Sequence, residues 1–204
     1  MAIISLGIIG FLLGIVSDVV SLKGPRHIKP FAWLMSSLLL GYAHVAAALN
    51  ADKFWLPAWA AWPAWFLLIA GALMMFYSFF LEIPFSKTYA EAGSSNELVQ
   101  AGTYALTRHP GALWYAVMLA GLVLASRSWL ALWAAPVWLF MEVVWVWTED
   151  RFLFGKMFQG YGEYRKTTPM LIPTWASMGC CWQTLPLRHA VRRFIRARAG
   201  QETV

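Results

Sequence analysis

Four stretches of the sequence are apolar over roughly 20 residues or more, and they constrain the fold more than any other feature. A helix needs about 20 apolar residues to cross the roughly 30 Å hydrocarbon core of a bilayer. Three stretches stand alone, at residues 3–22, 31–49 and 59–81, and the fourth runs from 112 to 147 with a polar interruption at 126–128. Because the fourth is too long for one helix, it predicts two helices joined by a tight turn. The pattern predicts an all-α integral membrane helical bundle of about five transmembrane helices, the last two forming a helical hairpin.

The composition favours a single membrane domain over residues 1–204. Hydrophobic residues make up 60% of the chain and charged residues 13%, whereas soluble domains are about half apolar and about a quarter charged. The 13 Trp and 13 Phe suit the aromatic belts found at membrane interfaces. An ordinary soluble enzyme is therefore excluded. No basic segment precedes the first apolar stretch, so we expect this stretch to remain as a span and not to be removed as a signal peptide.

The distribution of lysine and arginine predicts the orientation of the spans. Of the 16 basic residues, only Lys53 and Arg127 fall in the loops predicted for one face, and the other 14 fall in the loops and tail of the opposite face. Because basic loops stay in the cytoplasm, we expect the N-terminus outside and the C-terminus cytoplasmic, in an inner or plasma membrane. Attraction to an anionic leaflet then explains the net charge of +6, and we expect no nucleic-acid partner.

The C-terminal tail carries a second membrane signal. Between residues 187 and 199, apolar residues recur at every fourth position from Leu187 and arginines at every fourth position from Arg188. This pattern predicts a basic amphipathic helix on the cytoplasmic surface of the membrane. A solvated terminal helix is the alternative interpretation.

Ionisable residues inside spans are costly to bury, so each is a candidate functional residue. Asp18 and His44 stand alone in their spans, and we expect them to be hydrogen-bonded packing residues or water-facing caps. Glu142 and Glu149 are seven residues apart, so they share one helix face at about 10 Å along the axis. Trp145 lies on the same face. This face is the first candidate for a binding surface.

The other arm of the predicted hairpin begins beside a cationic pair. Proline suits the first turn of a helix, so the fourth span is predicted to start at Pro110. Arg108 and His109 then lie at the membrane level of Glu149 and Asp150. Two cationic side chains facing two carboxylates suit a ligand that carries both signs of charge. A structural ion-pair cluster that closes the hairpin is the alternative.

Several chemistries lack their characteristic residues in this sequence. The 4 His have no metal-ligand spacing, so no metal site is expected. The sequence contains no P-loop, no GxGxxG motif and no GxSxG elbow. The remaining possibilities are a small membrane enzyme whose cofactor is held by the hairpin and the cytoplasmic tail, or a protein without catalysis.

A series of short motifs resembles that of a known superfamily. Residues 102–110 read G-T-Y-A-L-T-R-H-P, and the hairpin is followed by E-D-R at 149–151, Y-G-E-Y at 161–164 and L-I-P at 171–173. The series resembles the isoprenylcysteine carboxyl methyltransferase and phospholipid methyltransferase superfamily, whose members carry these motifs in this order. The resemblance covers roughly residues 97–174. It divides the chain into N-terminal spans (1–96), a cofactor-binding half (97–174) and a basic tail (175–204).

The resemblance implies a pocket for S-adenosylmethionine at the cytoplasmic edge of the membrane, with the methyl acceptor entering from the lipid. Arg108 and His109 would face the methionine or adenosyl portion, and Glu149 would hold a polar group of the cofactor or of the acceptor. Arg108 and Glu149 are thereby the predicted catalytic residues, and the segment after the last span would close the pocket. The implied cofactor-binding residues are Tyr104, Arg108, His109, Glu149, Tyr164 and Arg165.

Two positions depart from the superfamily pattern. The tyrosine expected two residues after the R-H-P proline is Ala112, and the second acidic residue is Asp150 instead of glutamate. Tyr115, nearly one turn further along the helix, is a candidate replacement for the missing tyrosine. The predicted acceptor-binding residues are Glu142, Trp145 and Tyr115.

The chemical class of the acceptor stays open. A carboxylate or thiolate acceptor needs no general base, whereas a protonated amine must first lose a proton, which Glu149 is placed to take. We therefore predict an S-adenosylmethionine-dependent membrane methyltransferase acting on a carboxyl, amine or thiol of a lipophilic small molecule or lipid. An NADPH-dependent sterol-type membrane reductase and a non-catalytic membrane scaffold are the alternatives. Binding of S-adenosylmethionine, of NADPH or of neither separates the three.

Overall fold

The computed structural model describes residues 1–21, 28–83 and 98–185, and these residues form helices joined by short turns and loops. A 3-10 turn at Ala58–Ala60 precedes the third helix, and π-helical turns at Tyr77–Glu82 and Glu149–Leu153 extend the third and sixth. The predicted all-α class is confirmed. The α-helices are α1 (Ala2–Ser21), α2 (Ile28–Leu49), α3 (Ala61–Phe76), α4 (Thr103–Leu106), α5 (Pro110–Ser126), α6 (Trp129–Thr148), α7 (Phe154–Met157), α8 (Tyr161–Thr167) and α9 (Trp175–Thr184).

Four helical stretches within the described residues are long and apolar enough to cross a membrane, and they match the predicted first, second, third and fifth spans. The predicted fourth span is α5, whose 17 residues extend about 25 Å and lie at the short end of the spanning range. The protein is an integral membrane helical bundle. The amphipathic helix predicted over 187–199 lies outside the described residues. The four stretches are Ala2–Val20, Pro30–Leu49, Ala58–Glu82 and Trp129–Met157.

The predicted helical hairpin is observed with the expected boundaries. The first arm begins at Pro110, and only Arg127 and Ser128 separate the two arms. Arg127 adopts a left-handed backbone conformation with φ 54°, which reverses the chain. Ser128 then caps α6, because its hydroxyl accepts a hydrogen bond of 3.2 Å from the backbone N–H of Ala131.

The helices are grouped in two compact units. The first unit contains Met1–Met75 and Trp114–Met157, and the second contains Phe76–Leu113 and Phe158–Val204. The core of the first unit is formed by α1, α2, α5 and α6, which contribute both small alanines and large aromatic side chains. Its buried members are Phe11, Ala43, Ala47, Tyr115, Leu119, Val123, Ala131, Ala134 and Trp138.

Within the first unit, α3 and α5 approach each other through two glycines. A Cβ atom on Gly71 would lie 2.5 Å from the backbone nitrogen of Met118, and one on Gly121 would lie 2.6 Å from the Cα atom of Leu68. No side chain therefore fits at either position. Small residues of this kind allow membrane helices to gain van der Waals contact where no hydrophobic driving force acts between them.

The loop after α2 is hydrogen-bonded to the turn of the hairpin. The backbone N–H of Phe54 donates to the carbonyl of Arg127 at 2.7 Å, and the N–H of Trp129 donates to the carbonyl of Asp52 at 3.0 Å. Lys53 and Arg127, the two basic residues set apart by the sequence, therefore lie at the same end of the first unit.

Candidate functional site

The R-H-P segment is paired with the segment that carries the closing I-P motif. The backbone N–H of Arg108 donates to the carbonyl of Pro169 at 2.9 Å, and that of His109 donates to the carbonyl of Met170 at 3.2 Å. Both segments belong to the second unit. Motifs separated by about 60 residues in the sequence are thus held side by side.

The side chain of Arg108 is buried against the end of α8. Its Nη1 donates to the carbonyl oxygens of Arg165 at 3.1 Å and Thr168 at 2.6 Å. The last carbonyls of a helix have no intrahelical donors and carry partial negative charge, so a guanidinium is stabilised there. Arg165 thus contributes its backbone carbonyl to the contact with Arg108. Arg165 itself is exposed.

Two tyrosines of the predicted set are linked to each other. Tyr164 is 3% exposed, and its hydroxyl donates to the carbonyl of Tyr104 at 2.6 Å. The hydroxyl of Tyr104 donates to the carbonyl of Ser78 at 3.3 Å. Five of the six predicted cofactor-binding residues therefore lie in the second unit, within one network of hydrogen-bonded segments; the sixth is Glu149.

Thr107 is a residue that sequence reasoning missed. It is fully buried between Tyr104 and Arg108 along the chain, and its Oγ1 has no hydrogen-bond partner among the described residues. A buried polar atom left without a partner costs about 1–3 kcal/mol, so such atoms are rare and require an explanation. Its position inside the G-T-Y-A-L-T-R-H-P motif could have identified it as a candidate site residue.

Glu82 is the second residue that was missed. Its carboxylate accepts hydrogen bonds from the backbone N–H of Thr103 at 2.9 and 3.0 Å, from the Thr103 hydroxyl and from the hydroxyl of Tyr77. Burial and the neighbouring charge of Glu82 raise the pKa of the Cys181 thiol. Glu82 lies directly after the predicted span 59–81. It is therefore an ionisable residue at the edge of a span, which was the reason for selecting Glu149.

The predicted acidic pair lies in the first unit. Glu149 follows the last residue of α6 and opens the π-helical turn, and Asp150 is 4% exposed. The predicted group of two cations and two carboxylates therefore has members in both units, because Arg108 and His109 belong to the second.

The three predicted acceptor-binding residues also belong to the first unit. The indole nitrogen of Trp145 donates to Oδ2 of Asp18 at 2.8 Å. The hydroxyl of Tyr115 is 2.8 Å from Nε2 of His44, whose Nδ1 is 2.7 Å from the carbonyl of Leu40. Because a carbonyl only accepts, Nδ1 carries the proton and Tyr115 donates to Nε2. Asp18 and His44 are thus hydrogen-bonded, in accord with their packing interpretation.

Glu142 lies on α6, three residues before Trp145. Within the described residues its side chain has no hydrogen bond or ion pair. An ionisable side chain inside a span normally faces a partner or a polar cavity. Glu142 therefore remains a candidate for contact with a ligand.

The apolar spans and the tight hairpin define an integral membrane helical bundle. Residues 59–159 match the family model described as phospholipid methyltransferase, and this match covers about half of the chain. The chain belongs to this family, within the superfamily of integral membrane methyltransferases that includes the isoprenylcysteine carboxyl methyltransferases. No curated protein and no solved structure matches the chain significantly. The family implies a methyltransferase that acts in the membrane.

Proposed function

We propose that the protein transfers a methyl group from S-adenosylmethionine to a lipophilic small molecule or lipid. The observation that carries this proposal is the buried Thr107 hydroxyl, which has no hydrogen-bond partner among the described residues and lies in a segment whose neighbours Arg108 and His109 are held by backbone hydrogen bonds. Buried polar atoms without a partner are uncommon in proteins, and a polar group of a bound ligand would supply the partner that Thr107 lacks. Membership of a methyltransferase family supplies the reaction class.

The residues present fit S-adenosylmethionine. The cofactor carries a carboxylate, an ammonium group, a ribose diol and an adenine ring, and each requires hydrogen-bond partners. Arg108 supplies a guanidinium suited to a carboxylate, and His109 supplies an imidazole. Thr107 supplies a hydroxyl able to donate or accept. The orphaned Oγ1 would gain a partner on binding.

The main contribution of the protein to this reaction is to position the cofactor and the acceptor. S-adenosylmethionine supplies a methyl group already activated by its positive sulfur, so alignment and exclusion of water provide most of the acceleration. Arg108 and His109 are proposed to hold the methionine or adenosyl portion, and the α8 segment with Tyr164 and Arg165 is proposed to close over it. Glu149 is proposed, from its place in the motif series, to hold a polar group of the cofactor or to take a proton from an amine acceptor.

The acceptor is proposed to be lipophilic. The first unit consists mainly of apolar spans, and Glu142 supplies a carboxyl group there for a polar group on an apolar molecule. Trp145 and Tyr115, whose donors are bonded to Asp18 and His44, are proposed to contact the acceptor with their rings. A carboxyl, an amine or a thiol are the three acceptor groups consistent with these side chains. A water-soluble acceptor would gain no comparable contacts from these apolar spans.

Labelled methyl transfer tests the proposal directly. The purified protein in lipid nanodiscs is incubated with S-adenosylmethionine labelled at the methyl group, together with either a total membrane lipid extract or a pool of water-soluble metabolites. We expect label in the organic phase of the lipid incubation. Label only in the soluble pool would contradict a lipophilic acceptor, and label in neither pool would contradict methyl transfer.

We also propose that the hairpin turn lies outside and the C-terminus in the cytoplasm. The shared position of Lys53 and Arg127 at one end of the first unit supports this, because both belong to the face predicted to be poor in positive charge. An Arg127→Cys variant, with Cys180 and Cys181 replaced by serine, is expected to react with an impermeant maleimide added outside intact cells. Labelling only after the cytoplasmic face is opened would reverse the orientation.

A further inference from the structure

Glu82 forms the most extensively hydrogen-bonded acidic site described in the second unit. Both carboxylate oxygens accept from the backbone N–H of Thr103, at 2.9 and 3.0 Å, and one also accepts from the Thr103 hydroxyl. Tyr77 donates its hydroxyl to the same carboxylate. Ser78 is fully buried, and its hydroxyl lies 2.9 Å from that of Thr103.

The backbone at Gly102 lies so close to the Glu82 carboxylate that no side chain fits between them. Gly102 has φ 64°, and a Cβ atom on it would overlap with the carboxylate of Glu82. The N–H of Gly102 donates to the hydroxyl of Thr184 on α9 at 2.9 Å. The glycine that opens the G-T-Y-A-L-T-R-H-P motif is therefore required by the close approach of Glu82 and by the left-handed turn.

The segment that follows is anchored at both ends. Glu82 holds its start at Thr103, and the carbonyls of Pro169 and Met170 hold its end at Arg108 and His109. Between the two ends lies α4, which has four residues. A single helical turn is unstable by itself, because nucleation fixes several residues for one hydrogen bond. Its geometry must therefore come from tertiary contacts, namely the two anchors and the hydrogen bonds of Tyr104 with Tyr164 and Ser78.

We propose that Glu82 is a positioning residue that sets the geometry of residues 103–109 for binding the cofactor. This role rests on the proposed function. Three donors converge on the Glu82 carboxylate, which offers two charged acceptor oxygens, whereas an amide offers one neutral oxygen. A glutamine would turn its NH2 group toward one of the hydroxyls, which would have to rotate to accept, and the charge-assisted hydrogen bonds would be lost.

Three variants of the full-length protein in nanodiscs test the role. Glu82→Gln is expected to weaken the affinity for S-adenosylhomocysteine about 10- to 100-fold, the range for losing a charge-assisted contact. Glu82→Asp keeps two acceptor oxygens and is expected to recover part of the loss. Asp52→Asn is the matched control, because its carboxylate is exposed in the loop after α2, outside the proposed site, and its loss should change affinity less than twofold.

Two further readouts separate positioning from general stability. Amide hydrogen exchange of residues 103–109 is expected to rise in Glu82→Gln while exchange in the spans stays the same. In a double-mutant cycle with Thr107→Val, the combined loss of affinity is expected to be smaller than the sum of the single losses, because both act through one segment.

The outcomes are distinguishable. If the unsubstituted protein binds S-adenosylhomocysteine and Glu82→Gln binds it equally well, the positioning role is wrong and the proposed function stands. Equal losses in Glu82→Gln and Glu82→Asp, accompanied by faster exchange throughout the protein, would reduce Glu82 to a structural residue and overturn the proposal. If the unsubstituted protein does not bind S-adenosylhomocysteine, the proposed function fails and this role fails with it.

Discussion

Thr107→Val lowers the affinity for S-adenosylhomocysteine about tenfold or more and leaves the protein at least as stable to heat. This is the expected result because Oγ1 of Thr107 has no partner among the described residues, and a methyl group of the same shape removes an unsatisfied polar atom. Calorimetric titration gives the affinity, and thermal unfolding in detergent gives the stability. A less stable variant with unchanged affinity would mean that the hydroxyl serves the fold.

Two substitutions at predicted cofactor-binding residues belong with this experiment. His109→Ala and Glu149→Ala are each expected to weaken binding roughly 10- to 100-fold, the equivalent of about 1.5–3 kcal/mol for a charge-assisted hydrogen bond. Arg108→Ala is less informative, because it also leaves the carbonyls of Arg165 and Thr168 without their donor. Unchanged affinity in both variants, with the exposed Asp52→Ala as the control, would move the pocket elsewhere.

The second large effect concerns the packing of α3 on α5. Gly121→Ala is expected to destabilise the protein by about 1–3 kcal/mol, because the new methyl group meets backbone atoms of Leu68 that move only if the helices separate. Gly121→Leu is expected to yield little folded protein. The measurements are the melting temperature and the fraction of monodisperse protein in size-exclusion chromatography.

Gly41 provides the matched control for this experiment. It also lies in a predicted span, yet nothing is within 4 Å of a Cβ atom built on it. Gly41→Ala should be neutral or slightly stabilising, since alanine is favoured over glycine in a helix by about 1 kcal/mol. Equal losses at Gly41 and Gly121 would show that the close contact is not what makes Gly121 sensitive.

The fold class and the hairpin were predictable because each depends on local sequence. A span must satisfy its own backbone hydrogen bonds in lipid, so apolar length alone predicts helices and their number. The start of α5 follows from Pro110, and the turn between α5 and α6 follows from a polar interruption in a long apolar run. The order of the motifs similarly predicted the family.

The site was predictable only in part. Tyr104, Arg108, His109, Tyr164 and Arg165 were selected from the motif series, but their partners could not be read from it. Arg165 contributes a backbone carbonyl, a contribution that depends on the path of the chain and not on the side chain. Spacing along a helix similarly placed Trp145 on a face, while its hydrogen bond to Asp18 depends on how α1 and α6 are rotated against each other.

The sequence by itself determined that this protein is a helical membrane protein with a hairpin and the motifs of a methyltransferase family, because bilayer thickness and local backbone preferences act on contiguous residues. The tertiary structure alone decided that Glu82 holds the start of residues 103–109 and that Pro169 and Met170 hold their end. It also decided that Thr107 is buried with no partner among the residues that the structure describes. These contacts join residues from about 20 to about 60 positions apart. They exist only once packing has set the rotation and separation of the helices, which no local pattern encodes.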